Sequence, residues 1–360
     1  MTLGIFSDDF LPFIGGMGRY LVEVTRRLPQ ASHLVFSPCD NGMPNHIRVR
    51  PAFHDSLHNI SFSLWLHRAV DRLIDRYALA RMNIQCGPGG IFLLKKTRVP
   101  VVATYYHTWW QQSHYISAQF WKRMFIPFER RTYRLADRII CISEDSRDIL
   151  ERRYRIPPDK LAIIPPGVDT SQFFPMPEIQ KRRNSLIYVG RIDRRKGVDF
   201  LLRAMPEVAR QVQEVMLYVG GIGRDLPLLK DYVRVQGLER NVKFLGFIPE
   251  DSINAWYNKV QCAVIPSVFE GFGLTVVEAM AAGTSVISTR VDSIRRIVQD
   301  GTCGYLVDYG DTAALARRVV DLLRDEATRA KFVEEGLKQV RSLFSWEAVM
   351  DKLIPELLGD

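Results

Sequence analysis

Two glutamates eight positions apart carry the most pointed chemistry in this chain: Glu270 and Glu278 in PSVFEGFGLTVVEAMAAG, residues 266–283. The first stands in a glycine-rich turn. The second lies one turn into an apolar helical stretch, among Val276, Val277, Ala279 and Met280. Gly271 and Gly273 permit an unusual backbone path after Glu270, and Thr275 helps cap a helix that begins near Leu274. The free N–H groups of such a helix start attract a diphosphate. At about 1.5 Å per residue the carboxylates stand about 12 Å apart if the whole span is helical. That is too far for the paired carboxylates of a glycoside hydrolase, which sit about 5–9.5 Å apart. It suits a ligand with hydroxyls at both ends and a diphosphate between, and a nucleotide-sugar is such a ligand.

Other residues point to the same chemistry. In VGRIDRRKGV, residues 189–198, Arg191 and Lys196 follow Gly190 at a strand end and flank a turn. An arginine can grip two phosphate oxygens, while a lysine acts as a point charge. The Lys-Gly pair is no P-loop, because G-x-x-x-x-G-K-[ST] is absent. IGGMGRY, residues 14–20, places Gly15 and Gly16 between a strand and a helix, where backbone can approach a phosphate closely. Gly220, Gly221 and Gly223 form a third glycine turn. His107 in TYYHTWW follows the strand VVAT and should stand at a carboxyl edge of a sheet. Tyr106, Trp109 and Trp110 beside it are candidates for an acceptor-stacking surface or for packing.

These residues need strand ends to hold them. Short β-branched runs alternate with helical patterns along both halves, which predicts an α/β fold of βαβ units around parallel sheets. In the second half strands are expected at Ser185–Gly190, Val215–Val219, Val242–Leu245, Cys262–Ile265, Ser285–Ser288 and Tyr305–Val307, with helices between and after them. In the first half strands are expected at Leu3–Phe6, Leu34–Ser37, Asn83–Cys86, Val101–Thr104 and Arg138–Ile142. Helices there fit Gly18–Leu28, Leu64–Arg81, Gln119–Leu135 and Glu144–Arg152. The Pro- and Gly-rich IPPGVDTSQFFPMPE, residues 164–178, reads as a linker. The organisation expected is a Rossmann-like domain over 1–165, a linker over 166–182, a second Rossmann-like domain over 183–342, and a last helix in 343–360 returning to the first domain. Ligands of such sheets bind at the carboxyl ends of the strands, and a cleft between two such domains is the default ligand site.

Composition narrows the class. The chain has 360 residues, 47% of them hydrophobic and 25% charged, and a net charge of +9. All the excess lies early: residues 1–165 hold 23 Lys+Arg and 14 Asp+Glu (23 − 14 = +9), and residues 166–360 hold 26 of each. A basic half faces an anionic ligand or lipid surface; no recognition motif calls for nucleic acid. No apolar run is long enough for a membrane span, and MTLGIFSDDF does not read as a secretory signal. Five widely spaced cysteines without a C-x-x-C fit a reducing cytoplasm.

Together the motifs identify a family resemblance. GGMG at Gly15–Gly18, GRIDRRKG at Gly190–Gly197, FLGFIP at Phe244–Pro249, EGFGLTVVE at Glu270–Glu278, DGTCGYLV at Asp300–Val307 and FSWE at Phe344–Glu347 resemble, in order, the retaining GT-B glycosyltransferases of family 4, the glycosyl transferases group 1. The resemblance covers nearly the whole chain. It implies a GT-B fold, two Rossmann-like domains facing a central cleft. It implies that Arg191 and Lys196 bind the donor diphosphate and stabilise the leaving nucleotide. Glu270 would hydrogen-bond the donor sugar, with the backbone of Gly271, Phe272, Gly273, Leu274 and Thr275 around it, and Glu278 would hold the ribose. Gly16 would touch the diphosphate, the Phe247–Ile248 backbone the base, and His107 the donor sugar. Gly15, Gly190 and Gly221 complete the expected nucleotide site.

No D-x-D element stands at a convincing place, so no metal and no cofactor are expected; cations and a helix dipole take the metal's part. The expected reaction is transfer with retention by front-face attack, a donor phosphate oxygen accepting the acceptor's proton. The expected acceptor is a saccharide or a lipid-linked saccharide, in cell-surface polysaccharide or glycolipid synthesis. The expected place is the cytoplasm, with the inner membrane face as a candidate surface. Arg68, Arg72 and Arg76 at spacings of four, and the aromatic basic stretch 119–134, are the candidate membrane face. One departure is TRVDSIRRIV, residues 289–298, where many relatives carry a glycine pair and a glutamate. A UDP-sugar 2-epimerase of similar fold and a non-catalytic nucleotide-sugar-binding protein are the alternatives. Epimerases of that kind lack both the E-G-F-G-L opening and the G-R-x₄-K-G turn.

Overall fold

A computed structural model describes residues 2–11, 16–29, 31–38, 43, 45–50, 58–87, 90–115 and 123–359. The chain forms two compact units, Met1–Pro166 with Val349–Asp360, and Gly167–Ala348.

The first unit is built on a parallel sheet of β1 (Thr2–Phe6), β2 (His33–Ser37), β3 (His46–Arg48), β4 (Leu79–Cys86), β5 (Val101–Tyr105), β6 (Arg138–Cys141) and β7 (Leu161–Ile163), in the order β3-β2-β1-β4-β5-β6-β7. Its helices are α1 (Gly16–Arg27), α2 (His58–Tyr77), α3 (Trp109–Tyr115), α4 (Ile126–Leu135) and α5 (Glu144–Arg152). The central strands are buried on both faces because helices cover both, though β4 turns Asn83 and Gln85 to one face, where Asn83 Nδ2 donates to Thr104 Oγ1 at 2.9 Å. Phe62, Leu66, Val70 and Ile74, four residues apart on α2, pack into the core with Phe6, Phe36, Met82 and Ile84. The same 3.6-residue period turns Arg68, Arg72 and Arg76 outward, and all three are exposed. α2 ends at Tyr77, four residues short of its expected end. Ala78 takes a left-handed backbone (φ 47°) and β4 begins at once. α4 begins at Ile126, after a 3-10 turn over 123–125, with Pro127 in its first turn; residues 119–122 of the expected helix lie outside the described residues.

The second unit carries β8 (Ser185–Val189), β9 (Met216–Gly220), β10 (Val242–Gly246), β11 (Cys262–Ile265), β12 (Ser285–Thr289) and β13 (Tyr305–Val307), all parallel, in the order β10-β9-β8-β11-β12-β13. α6 (Val198–Gln211), α7 (Leu226–Val235), α8 (Glu250–Lys259), α9 (Leu274–Ala281), α10 (Asp292–Arg295), α11 (Thr312–Arg324) and α12 (Glu326–Gln339) flank it. Phe200, Leu201 and Met205 of α6 and Val319 and Leu322 of α11 close its core over Leu186, Val264 and Ile287.

Both sheets start in the middle, run one way and return to run the other. β1 therefore neighbours β4, and β8 neighbours β11, while the connections that leave them diverge. Such a switch point opens a crevice at the carboxyl ends of the two strands.

Residues 166–182 do not form a free linker. Phe173 is buried, Asn258 Nδ2 donates to the Phe174 carbonyl at 3.0 Å, and the Met176 amide donates to Asn258 Oδ1 at 2.8 Å, so the segment is fastened to the second unit. α13 (Trp346–Leu358) ends in the first unit, where Arg138 Nε donates to Glu356 Oε2 at 2.9 Å and Arg81 Nη1 to the Glu356 carbonyl at 3.1 Å. Cys86, Cys141, Cys262 and Cys303 are buried free thiols; Cys39 lies outside the described residues. Among the described residues no helix is long and apolar enough to cross a membrane.

Candidate active site

The loops after β8 and β11 flank the switch point of the second unit, and they are stitched together by backbone. The Val268 amide donates to the Arg195 carbonyl at 2.8 Å. Gly197 closes the 3-10 turn Arg194–Lys196 with φ 64°, and a Cβ there would lie 2.0 Å from the Pro266 carbonyl oxygen. Only glycine lets the two loops approach so closely. The amide of Gly190 donates to Gly220 O at 3.0 Å and that of Gly221 to Gly246 O at 2.7 Å. These two glycines extend the sheet's hydrogen bonding past the strand ends, so their amides already have backbone partners.

This stitching brings Lys196 onto Glu270. Lys196 Nζ stands 2.5 Å from Glu270 Oε1, and the Ser267 hydroxyl donates to the same oxygen at 2.8 Å. The Ser293 hydroxyl donates to the Glu270 carbonyl at 3.0 Å. Glu270 is 7% exposed. Burial pushes its carboxyl up, but the charge and hydrogen bond of Lys196, with Arg195 and Ser267, outweigh it and hold the group below the ordinary carboxylate range. Arg191 is exposed, and its carbonyl accepts from the Tyr188 hydroxyl at 2.6 Å. The site is thus a buried, ionised carboxylate beside two cations, Lys196 and Arg195, with Arg191 exposed on the same loop. Spacing singled out Arg191 and Lys196. Arg195, Ser267, Ser293 and Tyr188 were missed: nothing local marks which neighbour in a basic turn faces a carboxylate 75 positions on, or that the Ser267 and Ser293 hydroxyls turn back onto Glu270.

α9 starts beside this carboxylate. Gly273, at φ 111°, is its N-cap and brings no capping side chain. The Val276 and Val277 amides donate to the Gly273 carbonyl, so the amides of Leu274 and Thr275 precede the first intrahelical bonds. Leu274, Thr275 and Gly271 are half-buried. Phe272 is buried, its ring 5.7 Å from that of Phe344. Glu278 lies in the second turn of α9 and is 5% exposed among Val276, Val277, Ala279 and Met280. Only the stretch from Leu274 on is helical, so the eight-residue spacing is not a helical rise throughout. Past β10, Phe247 is 70% exposed, whereas Ile248 is 7% exposed with its Cδ1 against Gly220.

In the first unit Gly15 lies outside the described residues. Gly16 begins α1 and is exposed, but the Gly18 amide at this helix start already donates to Asp9 Oδ2 at 3.0 Å. His107 stands just past β5, half-buried, its carbonyl packed against Gly87. The aromatic residues around it have partners within the unit. The Tyr106 hydroxyl donates to Gln85 Oε1 at 2.5 Å, and its ring meets Tyr20 edge-on at 5.6 Å. Trp109 is 5% exposed, its ring 5.0 Å from that of Phe125, and the Arg153 guanidinium lies 3.7 Å above the Trp110 ring. Of the two readings open for Trp109, its burial favours packing: it packs α3 on the segment before α4.

Residues 14–172 match the model of Glycosyltransferase Family 4, and residues 169–339 that of Glycosyl transferases group 1. The chain belongs to these glycosyltransferases. The glycosyltransferase is 29% identical to the phosphatidyl-myo-inositol mannosyltransferase of Mycobacterium leprae over 98% of this chain and 96% of that protein. Its fold is that of sucrose-phosphate synthase from Thermosynechococcus elongatus, with TM-score 0.82 and 22% identity over 99% of each chain. It is also that of Anabaena HepE, solved with UDP-glucose, with TM-score 0.75 and 18% identity over 99% of each. Both are GT-B glycosyltransferase structures, and the two parallel sheets here match that fold. In this glycosyltransferase the unusual loop after β12 is tied down: Arg290 pairs with Asp300 at 2.9 Å and Asp308 at 3.3 Å, and Ser293 holds the Glu270 backbone.

Proposed function

We propose that this glycosyltransferase takes a sugar from a nucleotide-diphosphate sugar, UDP- or GDP-linked, and transfers it with retention to a saccharide or phospholipid-linked acceptor. One observation carries the reading: a buried carboxylate, kept ionised by Lys196, stands at the carboxyl end of β11 immediately before the helix start at Gly273. Such a group accepts hydrogen bonds from sugar hydroxyls. Arg191, Lys196 and the Leu274 and Thr275 amides receive the diphosphate, and Glu278 the ribose. As the bond from the sugar's anomeric carbon to the diphosphate oxygen breaks, charge builds on that oxygen. The cations and the positive end of α9 stabilise it in the role a metal would otherwise play. The acceptor oxygen bonds to the same face of the anomeric carbon, its proton passing to a departing phosphate oxygen. His107 is assigned to the reacting sugar, and the exposed backbone at Phe247 to the base. HepE's complex with UDP-glucose supports the donor class, and the name of the mycobacterial relative supports a phospholipid acceptor, which the basic first unit suits.

The test is a panel of UDP- and GDP-sugars with phosphatidylinositol and simple saccharide acceptors. Turnover with one donor, abolished by Glu270→Gln, and an NMR coupling showing the donor's anomeric configuration kept in the product are expected. Inversion, or turnover unchanged in Glu270→Gln, overturns the reading. Vesicle flotation of the wild type against Arg68→Glu/Arg72→Glu/Arg76→Glu tests the proposed anionic membrane face.

A further inference from the structure

α4 places a carboxyl group in the interior of the first unit. Glu129 is 1% exposed. Its two oxygens accept the Trp109 amide, each at 3.2 Å; the Tyr133 hydroxyl donates to Oε1 at 3.3 Å and the Tyr154 hydroxyl bonds Oε2. Trp109 is the first residue of α3; the Thr108 hydroxyl before it caps the helix by accepting the Gln111 amide at 2.9 Å, and this carboxyl from another helix takes the Trp109 amide that the cap leaves over. The opposite end of the same turn is held by Gln111, whose Oε1 accepts the Thr108 amide at 2.7 Å and the Tyr105 hydroxyl at 2.9 Å. Tyr106 and His107 are the two residues between these clamps and the end of β5.

The titratable groups facing Glu129 are Tyr133 on its own helix, Tyr105 on β5, Cys86 on β4 and Tyr154 beyond α5, with Cys141 of β6 behind Tyr105. Asp145 accepts from Gln111 Nε2 at 3.2 Å, and Arg153 covers Trp110. Every group that bonds Glu129 is a neutral donor; among the described residues none is a cation. Burial therefore dominates and pushes this carboxyl up to about 8. As an uncharged acid it satisfies the Trp109 amide without placing a bare charge in the core.

We propose that Glu129 is a positioning residue for sugar transfer, holding the turn that carries His107 as an uncharged acid and releasing it on ionisation. The proposal rests on the assignment of His107 to the reacting sugar. The experiment uses the full chain. Trp109 emission of the wild type should change with a midpoint near pH 8, and the change should vanish in Glu129→Gln and in Trp109→Phe. With UDP-glucose or GDP-mannose, whichever turns over, wild-type kcat should fall about tenfold from pH 7 to 9.5 while the donor KM moves less than about threefold. Glu129→Gln should keep kcat at pH 7 within about fivefold and flatten the alkaline limb. Tyr154→Phe, which removes a bond that favours the ionised form, should move the limb to higher pH. An emission titration or an alkaline limb that persists unchanged in Glu129→Gln overturns the proposal. If His107→Ala keeps full activity, the assignment of His107 fails, while the emission titration still reports whether Glu129 holds the turn.

Discussion

Lys196→Met leaves Glu270 in place and removes its counter-ion at nearly constant volume. The side chains are 15% and 9% exposed, so the pair is buried rather than a screened surface bridge. Breaking such a pair from one side costs about 3–5 kcal/mol, because the remaining charge is stranded. Ser267 still bonds the same oxygen and Arg195 still lies near, which reduces the expected loss to about 2–4 kcal/mol. The affected unit spans residues 167–348, so Tm should fall by roughly 5–15 °C at neutral pH. The loss must depend on pH in a particular sense. In the wild type the folded carboxyl titrates below its unfolded value. Its contribution is therefore present above about pH 4.5 and is lost as pH falls through the folded pKa. Without the lysine, burial governs, the folded pKa lies above the unfolded one, and the variant loses stability as pH rises from about 4.5. The Tm difference should be small at pH 4, largest near pH 7, and mostly recovered by Lys196→Met/Glu270→Gln. Calorimetry at several pH values checks it. A deficit of equal size at pH 4.5 and 7.5, or a double variant no more stable than the single one, would refute the argument.

Three further outcomes follow from the same geometry. Gly197→Ala should lose at least about 2 kcal/mol more than Gly237→Ala in urea unfolding. Both glycines have φ near 65°, but only the first meets a carbonyl, at 2.0 Å, while nothing lies within 4 Å of the second. Glu278→Gln should raise the donor KM about tenfold, the worth of one charge-assisted hydrogen bond, with kcat changed little; an unchanged KM would remove Glu278 from the donor site. Phe247→Ala should leave stability within about 0.5 kcal/mol, since the side chain is 70% exposed, and should leave UDP or GDP binding in calorimetric titration nearly unchanged, because it is the backbone that is assigned to the base; a large loss would move that contact to the side chain.

Much of this molecule was legible because its elements announce themselves locally. β11 and β13 and helices α5, α6 and α11 run over the residues that the sequence pattern assigned: β11, β13, α6 and α11 are apolar stripes bounded by glycine, proline or a capping side chain, and polar α5 is announced by its Ser143 cap. The short strands β3 and β7 were not foreseen: three residues carry no period, and only their place beside β2 and β6 makes them strands. The C-terminal end of α2 was drawn four residues too far because Ala78 has no sequence signature for the left-handed turn it makes, and its start at His58 lies six residues before the expected one. The WWQQ aromatics could be read either as a surface or as packing, because a tryptophan's burial depends on what arrives from elsewhere, here Phe125 and Glu129.

The sequence alone determined that glutamates, cations and glycines would stand at strand-to-helix turns, since those turns follow from local alternation of pattern. It also determined the family, whose motifs are short and contiguous. Only the tertiary structure decided which of them meet. Lys196 and Glu270 are 74 residues apart, and they touch because β8 lies next to β11, an order that no local preference encodes. Burial of a carboxylate is likewise a property of the packed sheet and helices around it. That is why Glu270 is held ionised beside a cation while Glu129, ringed by neutral donors, is held as an acid.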